Sequence, residues 1–229
     1  PSFPGKLFEY ELENLNMITR NLQDSYSIAI LGGSKMSSKI EIIENLLKKF
    51  KRILIGGAMA NTFLAAKGIN VGKSFLENRM IPKALEIIKK GGNKIILPQD
   101  VIVTDSPENL DGQNVNVNNV NNNHFIYDIG PKTRKSFFNE IIKSQKILWN
   151  GPLGFFEKKP FDNGTNYIAS SIKSLANRKI FSAAGGGDTI SALKNSGCFD
   201  SISFVSTGGG AFLKFIEGKS LPGIEILNK

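Results

Sequence analysis

The chain of 229 residues has a single cysteine and a single histidine, and each scarcity removes a class of chemistry. Cys198 alone excludes an internal disulfide framework and fits a reducing compartment. With His124 as the only imidazole, no Cys/His cluster has metal-ligand spacing, and no Ser/His/Asp or Cys/His set supports nucleophilic hydrolysis. No apolar run is long enough to span a bilayer, and no stretch carries the basic, apolar and small-residue zones of a signal peptide. Arginine-rich runs and basic strands interleaved with aromatics are missing too. The net charge of +9, from 29 basic and 20 acidic residues, is spread over pairs such as Lys48-Lys49, Lys89-Lys90 and Lys158-Lys159. These fall at expected helix ends, where a cation complements the dipole, and read as solvated surface rather than a nucleic-acid face. Asn163-Gly164-Thr165 matches a glycosylation acceptor, but with no secretion signal beside it the match reads as chance. The first residue, Pro1, fits a piece of something longer.

Glycine is what the chain has in quantity, and its placement is regular. Six aliphatic runs end in glycine or turn residues: Ile28–Gly33, Ile53–Gly57, Ile95–Asp100, Ile147–Pro152, Ile180–Gly187 and Ile202–Gly210. Most lead into helical spacing. A glycine corner after a buried strand bares N–H groups and aims a helix N-terminus at a ligand, which favours phosphate oxygens. The alternation predicts strands at 27–31, 52–55, 94–97, 146–149, 179–183 and 201–205. It predicts helices at 36–50, 60–67, 82–89, 132–143, 165–176 and 189–195, and a last one from Ala211. Ahead of these, Phe8, Leu12, Leu15, Ile18 and Leu22 share one face of an amphipathic helix, after a turn at Pro4-Gly5. The expected fold is a three-layer, Rossmann-like α/β domain: a six-stranded, mostly parallel sheet with helices on both faces. Residues 111–123, rich in asparagine, break the rhythm. They read as a surface excursion with short strands such as 115–117, or as a disordered loop.

Several motifs need weighing. Gly68–Ser74 imitates a P-loop but has three residues between its glycines where four are required, and it follows a helix. No glycine cluster completes a dinucleotide fingerprint. Lys35 and Lys39, read as an (i, i+4) pair on one helix face, stand at the helix start, which is electrostatically the wrong end for cations; that misplacement favours a phosphate-binding role. Asp188, after three glycines, reads either as an N-cap or as an oxygen ligand for the Mg²⁺ of a nucleotide. Glu157 reads as a ribose ligand or a surface acid, and His124 as neither base nor ligand.

In this order the motifs ILGGSKMSSKI (30–40), IGGAMANTFLAAKGINVGKS (55–74), LPQDVIVTD (97–105), DIGPKT (128–133), LWNGPLGFFE (148–157), GGGDT (185–189) and VSTGGGAFLKFIEGKSLPG (205–223) closely resemble phosphoglycerate kinase. The resemblance covers that family's C-terminal, nucleotide-binding lobe (25–229) and its connecting helix (1–24). The N-terminal lobe, which holds 3-phosphoglycerate and supplies a catalytic arginine, has no counterpart here. The ending LPGIEILNK looks like the family's own. The resemblance implies reversible phosphoryl transfer from 1,3-bisphosphoglycerate to ADP, with Mg²⁺ accompanying ADP or ATP, in a cytoplasmic monomer without nucleic-acid or membrane partners.

The site residues it implies are Gly33, Lys35, Lys39, Gly57, Ala58, Tyr127, Asn150, Pro152, Glu157, Gly185, Gly186, Gly187, Asp188 and Thr189 for the nucleotide. Asp188 would hold the metal, Thr189 would take phosphate oxygens, and Lys39, Gly186 and Gly209 form the implied catalytic set. Gly208–Gly210 would face the second substrate, with Ser206-Thr207 at a hinge. Four positions depart from the pattern. Ala58 stands for a usual third glycine and is expected to crowd the adenine pocket. Ile126-Tyr127 replaces a glycine-aliphatic pair near the base, Phe204 a frequent histidine, and Ser38 an alanine or aspartate. Two other functions remain possible: a non-catalytic adenine-nucleotide-binding module, which would bind without turnover, and a nucleic-acid binder, whose affinity would collapse with salt.

Overall fold

The computed structural model describes residues 5–20, 22 and 25–221. The turn at Pro4, the boundary at residue 24 and the terminal segment 222–229 lie outside them. Parallel strands β1 (Ser27–Leu31), β2 (Arg52–Ile55), β3 (Ile95–Ile96), β7 (Lys146–Asn150), β8 (Phe181–Ala184) and β9 (Phe204–Val205) form one sheet in the order β3-β2-β1-β7-β8-β9. All six correspond to the six aliphatic runs. β1 is buried along its whole length, as a parallel strand covered on both faces must be.

Side chains alternate across the sheet and feed two cores. Ala29, Leu31, Ile53, Ile55, Leu148 and Phe204 point toward α1 (Lys6–Thr19), α2 (Ile40–Lys49), α3 (Met59–Ala66), α4 (Ile81–Gly91) and α8 (Gly210–Ile216). Ile28, Ile30, Leu54, Ile147 and Trp149 point toward α5 (Pro131–Ile141), α6 (Asn163–Ser174) and α7 (Gly187–Asn195). Each fully covered aliphatic side chain contributes roughly 1.5–3 kcal/mol. α1 belongs to the first core through Leu15 and Ile18, joined by Leu22 just beyond it, while Phe8 and Leu12 are half-buried.

The strand order reverses between β1 and β7. From β1 the chain winds outward through β2 to β3, and from β7 outward the other way through β8 to β9. In open sheets the crevice at such a reversal is where ligands bind. The registers Leu31↔Ile55, Leu31↔Asn150, Trp149↔Ala184 and Ala184↔Val205 hold the strand ends level. The corners that follow therefore share one rim.

A second, antiparallel sheet was not expected in full. β4 (Asp100–Thr104) lies between β5 (Gln113–Asn116) and β6 (Phe125–Ile129). The asparagine-rich excursion thus holds one short strand, close to the one anticipated at 115–117, and β4 and β6 frame it. Two further expectations need correction. The segment after β1 does not begin a helix at Met36: Ser37–Lys39 is a single 3-10 turn, and α2 starts at Ile40. Lys158-Lys159 lies in turns before α6, not at a helix end, whereas the pairs 48–49 and 89–90 do close α2 and α4.

Candidate functional site

Two adjoining clefts open along the rim, and both include Gly33, Ser34 and Asp188. One, of about 300 Å³, lies over the β1–β7–β8 corners and is lined by Lys35, Lys39, Asn150 and Gly186–Thr189. The other, of about 310 Å³, runs between the corners and the small sheet and is lined by Gly57, Ala58, Phe75, Tyr127, Pro152 and Glu157 among others. Every residue expected at the nucleotide is brought to this region except Gly185, which is buried beneath it against the ring of Phe212. Gly209 stands on the β9–α8 corner and lines neither cleft.

Most of the glycine amides at the corners are committed to one another. Gly32 N donates to Asn150 O (3.0 Å), Gly33 N to Pro152 O (2.8 Å), Gly56 N to Leu31 O (2.9 Å) and Gly57 N to Leu153 O (2.9 Å). A Cβ at Gly57, whose φ is +65°, would lie 2.6 Å from Gly33 N. These glycines let three corners interlock; they do not present amides to an anion.

The open amides are elsewhere. At α7 the first intrahelical bond after the Gly186 corner is Ile190 N to Gly186 O (3.0 Å). The N–H groups of Gly187, Asp188 and Thr189 thus have no helical acceptor and face the cleft with the positive dipole end. Gly186 has φ +96° and Gly187 is exposed. The Thr189 hydroxyl is not free to take a phosphate oxygen: it accepts from Gly151 N (2.7 Å) and donates to Gly185 O (2.9 Å). Only its amide remains for a ligand. Asp188 sits inside the helix with Gly186 as N-cap, so it is not the cap. Its carboxylate is exposed at the junction of the clefts, and an exposed oxygen donor beside bare amides fits Mg²⁺, which prefers oxygen ligands.

Lys35 and Lys39 do not form a helical pair, because the 3-10 turn intervenes. Lys35 is exposed, whereas the Lys39 ammonium reaches in to donate to Asn150 O (3.2 Å) and Asn150 Oδ1. Asn150 in turn donates through Nδ2 to Gly185 O (2.7 Å). Burial pulls the Lys39 ammonium down to about 8, and nearby Asp188 pulls it back only in part. A lysine held this way gains most when an anion arrives.

In the second cleft the walls are aromatic. Tyr127 stacks on Phe125 at 6.1 Å and meets Phe155 and Phe161 at 5.7 and 5.0 Å. Ala58 has φ −63°, so nothing in the backbone there requires glycine. Glu157 is exposed and makes no hydrogen bond or ion pair among the described residues. The false P-loop has a different use: Ser74 Oγ accepts from Ile126 N (2.8 Å) and Lys73 N donates to His124 O (2.8 Å), which seats Ser74 and Phe75 in the cleft wall. Its tight turn at Gly72 faces the backbone of Asn121 and His124, not an anion.

Sequence reasoning missed two acids. Glu11 on α1 accepts from Ser206 Oγ (2.7 Å), Thr207 N (2.8 Å) and Thr207 Oγ1 (2.8 Å), fastening α1 to the β9–α8 corner. Asp128 on β6 has no exposed side-chain surface and pairs with Arg134 at 3.0 Å. Burial pushes its carboxyl up to about 7, against the opposing pull of Arg134 and the Gly164 and Ile129 amides. The aspartate within DIGPKT was the available signal for Asp128. For Glu11 there was none, since its partners lie at the other end of the chain.

The family model for phosphoglycerate kinase matches residues 1–219. The chain is 43% identical over 230 residues to phosphoglycerate kinase of Desulfosudis oleivorans, covering 99% of this chain and 57% of that protein. It is 44% identical over 233 residues to that of Finegoldia magna, covering 100% and 58%. The solved phosphoglycerate kinase from Coxiella burnetii superposes with a TM-score of 0.92 at 41% identity, over 98% of this chain and 58% of that one. The enzyme from Pyrococcus horikoshii gives 0.83 at 31%, over 98% and 56%. The chain therefore spans somewhat over half the length of the relatives it matches.

Proposed function

The chain belongs to the phosphoglycerate kinase family, and from that premise we propose that it holds Mg²⁺-ADP or Mg²⁺-ATP for reversible phosphoryl transfer between 1,3-bisphosphoglycerate and ADP. The observation that carries this reading is the junction of an aromatic cleft with a cleft of bare α7 amides and a half-buried lysine. A base fits the first and an oligophosphate the second.

In this reading the base lies between the Gly57-Ala58 corner and Tyr127, and Glu157 accepts from the ribose hydroxyls. The amides of Gly187, Asp188 and Thr189, with Lys35, receive the phosphates. Asp188 would hold Mg²⁺, whose charge offsets that of the phosphates. Lys39, released from Asn150, meets the phosphoryl group in transit, with Gly186 beside it. Asn150 and Pro152 shape the floor through their backbone and amide contacts, and Gly33 and Gly185 through close packing. Phosphoryl transfer depends mainly on positioning and charge neutralisation, and these residues offer both.

The second substrate, 3-phosphoglycerate or its bisphosphate, belongs to the part of the relatives' length that this chain does not span. Gly209 and the Ser206-Thr207 corner would face it, and residues 1–24 would connect to it. A cytoplasmic monomer without nucleic-acid or membrane partners completes the proposal; no helix among the described residues is long and apolar enough to cross a membrane. Titration calorimetry of the 229-residue chain with MgADP tests it. Saturable binding of one equivalent, lost on Asp188→Ala with Lys39→Ala, is expected. Absence of binding to the unaltered chain would refute it.

A further inference from the structure

We infer that Asp128 is a positioning residue for the base half of this site, acting through backbone it holds rather than by touching the ligand. The inference rests on the nucleotide reading above. Asp128 Oδ2 accepts from Gly164 N at 2.6 Å and from Arg134 Nη2 at 3.0 Å, and Oδ1 accepts from Ile129 N at 2.8 Å. Arg134 also donates through Nε to Ile129 O at 3.1 Å. A Cβ at Gly154 would fall 2.3 Å from Asp128 Oδ1, and one at Gly164 2.2 Å from it. Three stretches of backbone are therefore pressed onto one carboxylate: β6, the loop 153–157 and the N-terminus of α6.

Two of those stretches form the walls of the base cleft. The loop brings Leu153, Phe155 and Glu157, and β6 brings Phe125 and Tyr127. Phe155 N donates to Tyr127 O at 2.7 Å, so the walls are tied to each other one residue from Asp128 on β6 and one from Gly154 on the loop. No hydrogen bond from Asp128 or Arg134 reaches Lys39, Asn150 or α7 among the described residues. The α7 corner, whose Gly187, Asp188 and Thr189 amides would receive the phosphates, is braced separately, by the Thr189 hydroxyl on Gly151 N and Gly185 O. Loosening the carboxylate should let the base walls drift while leaving the phosphate cleft intact.

The separation is what the experiment reads. In Asp128→Asn one acceptor becomes an NH₂ group facing donors that need acceptors, which leaves a buried pair unsatisfied. Affinity for MgADP, by calorimetry on the 229-residue chain, should fall roughly tenfold to a hundredfold. Affinity for inorganic tripolyphosphate with Mg²⁺, measured by competition, should stay within about twofold. Arg134→Gln, whose site is less buried, should shift ADP affinity in the same selective direction by several-fold, and it keeps the test open if Asp128→Asn does not fold.

An equal loss for both ligands would mean a merely structural role and overturn the inference. So would unchanged ADP affinity in a folded variant, or failure of the unaltered chain to hold tripolyphosphate, since the phosphate half would then not stand alone. If the unaltered chain binds no MgADP, the nucleotide reading itself fails first.

Discussion

Lys39 carries the sharpest residue-scale consequence. Its ammonium is drawn down to about 8 because burial disfavours the charge and Asp188 restores only part of it. An anionic ligand favours the charged form, so binding must raise this value and take up a proton near pH 8. The sign follows: affinity for MgADP falls as pH climbs through that value, because more of the free chain must then be protonated to bind. Calorimetry in buffers of different ionisation enthalpy, from roughly one pH unit below to one above, should detect the uptake. Lys39→Arg, which stays charged, should abolish it. A slope identical in both proteins would place the titrating group elsewhere. Lys39 was legible in the sequence because a cation at a helix start is out of place. That it does not pair with Lys35 was not legible, since a 3-10 turn and an α-turn look alike over four residues. Nor could sequence reveal that Gly33 and Gly57 spend their amides on neighbouring corners, because those acceptors, Pro152 and Leu153, come about a hundred positions later.

At the scale of elements, the strands of the large sheet were readable because parallel strands buried on both faces are unbroken aliphatic runs. The small sheet was hidden for the opposite reason: β5 is polar and mostly exposed, and β4 is buried without alternation. What fastens β4 to the rest is a buried carboxylate. Asp100 Oδ1 accepts from Thr133 N (2.7 Å) and Thr133 Oγ1 (2.7 Å), and Oδ2 from Lys132 N (3.0 Å), capping α5 from another element. The Gly130 turn fits only without a side chain, because a Cβ there would lie 2.3 Å from Asp100 Cγ. Asp100→Ala leaves two α5 amides without acceptors and should destabilise the chain by roughly 2–4 kcal/mol in urea unfolding. Because Asp100 touches neither cleft, MgADP affinity extrapolated to the folded fraction should change little. A loss below about 0.5 kcal/mol would show that the cap is not needed.

For the whole molecule, the reversal between β1 and β7 and the level strand ends place the glycine corners of β1, β7 and β8 on one rim, and the doubly wound order gathers local glycine punctuation along one edge. β9 ends one strand farther out, and Glu11 ties its corner to α1. On α1, Leu7, Tyr10 and Met17 are 66%, 53% and 49% exposed, although the Tyr10 ring still meets the buried Phe204 edge-on at 5.9 Å. The chain thus offers the proposed nucleotide cleft at the switch point, and toward β9 a corner and a helix face with much uncovered apolar surface. If the second substrate is held by the part of the relatives' length beyond this chain, binding and turnover must separate. The 229-residue chain should bind MgADP, yet convert ATP and 3-phosphoglycerate at least several orders of magnitude more slowly than a full-length relative, because charge donors and alignment for the transferred group are missing. A coupled assay on both proteins at saturating substrate measures this directly. Turnover by the chain within about tenfold of the relative would mean that it carries the acceptor site itself. The face of α1 and the Gly208–Gly210 corner would then be where to look for it.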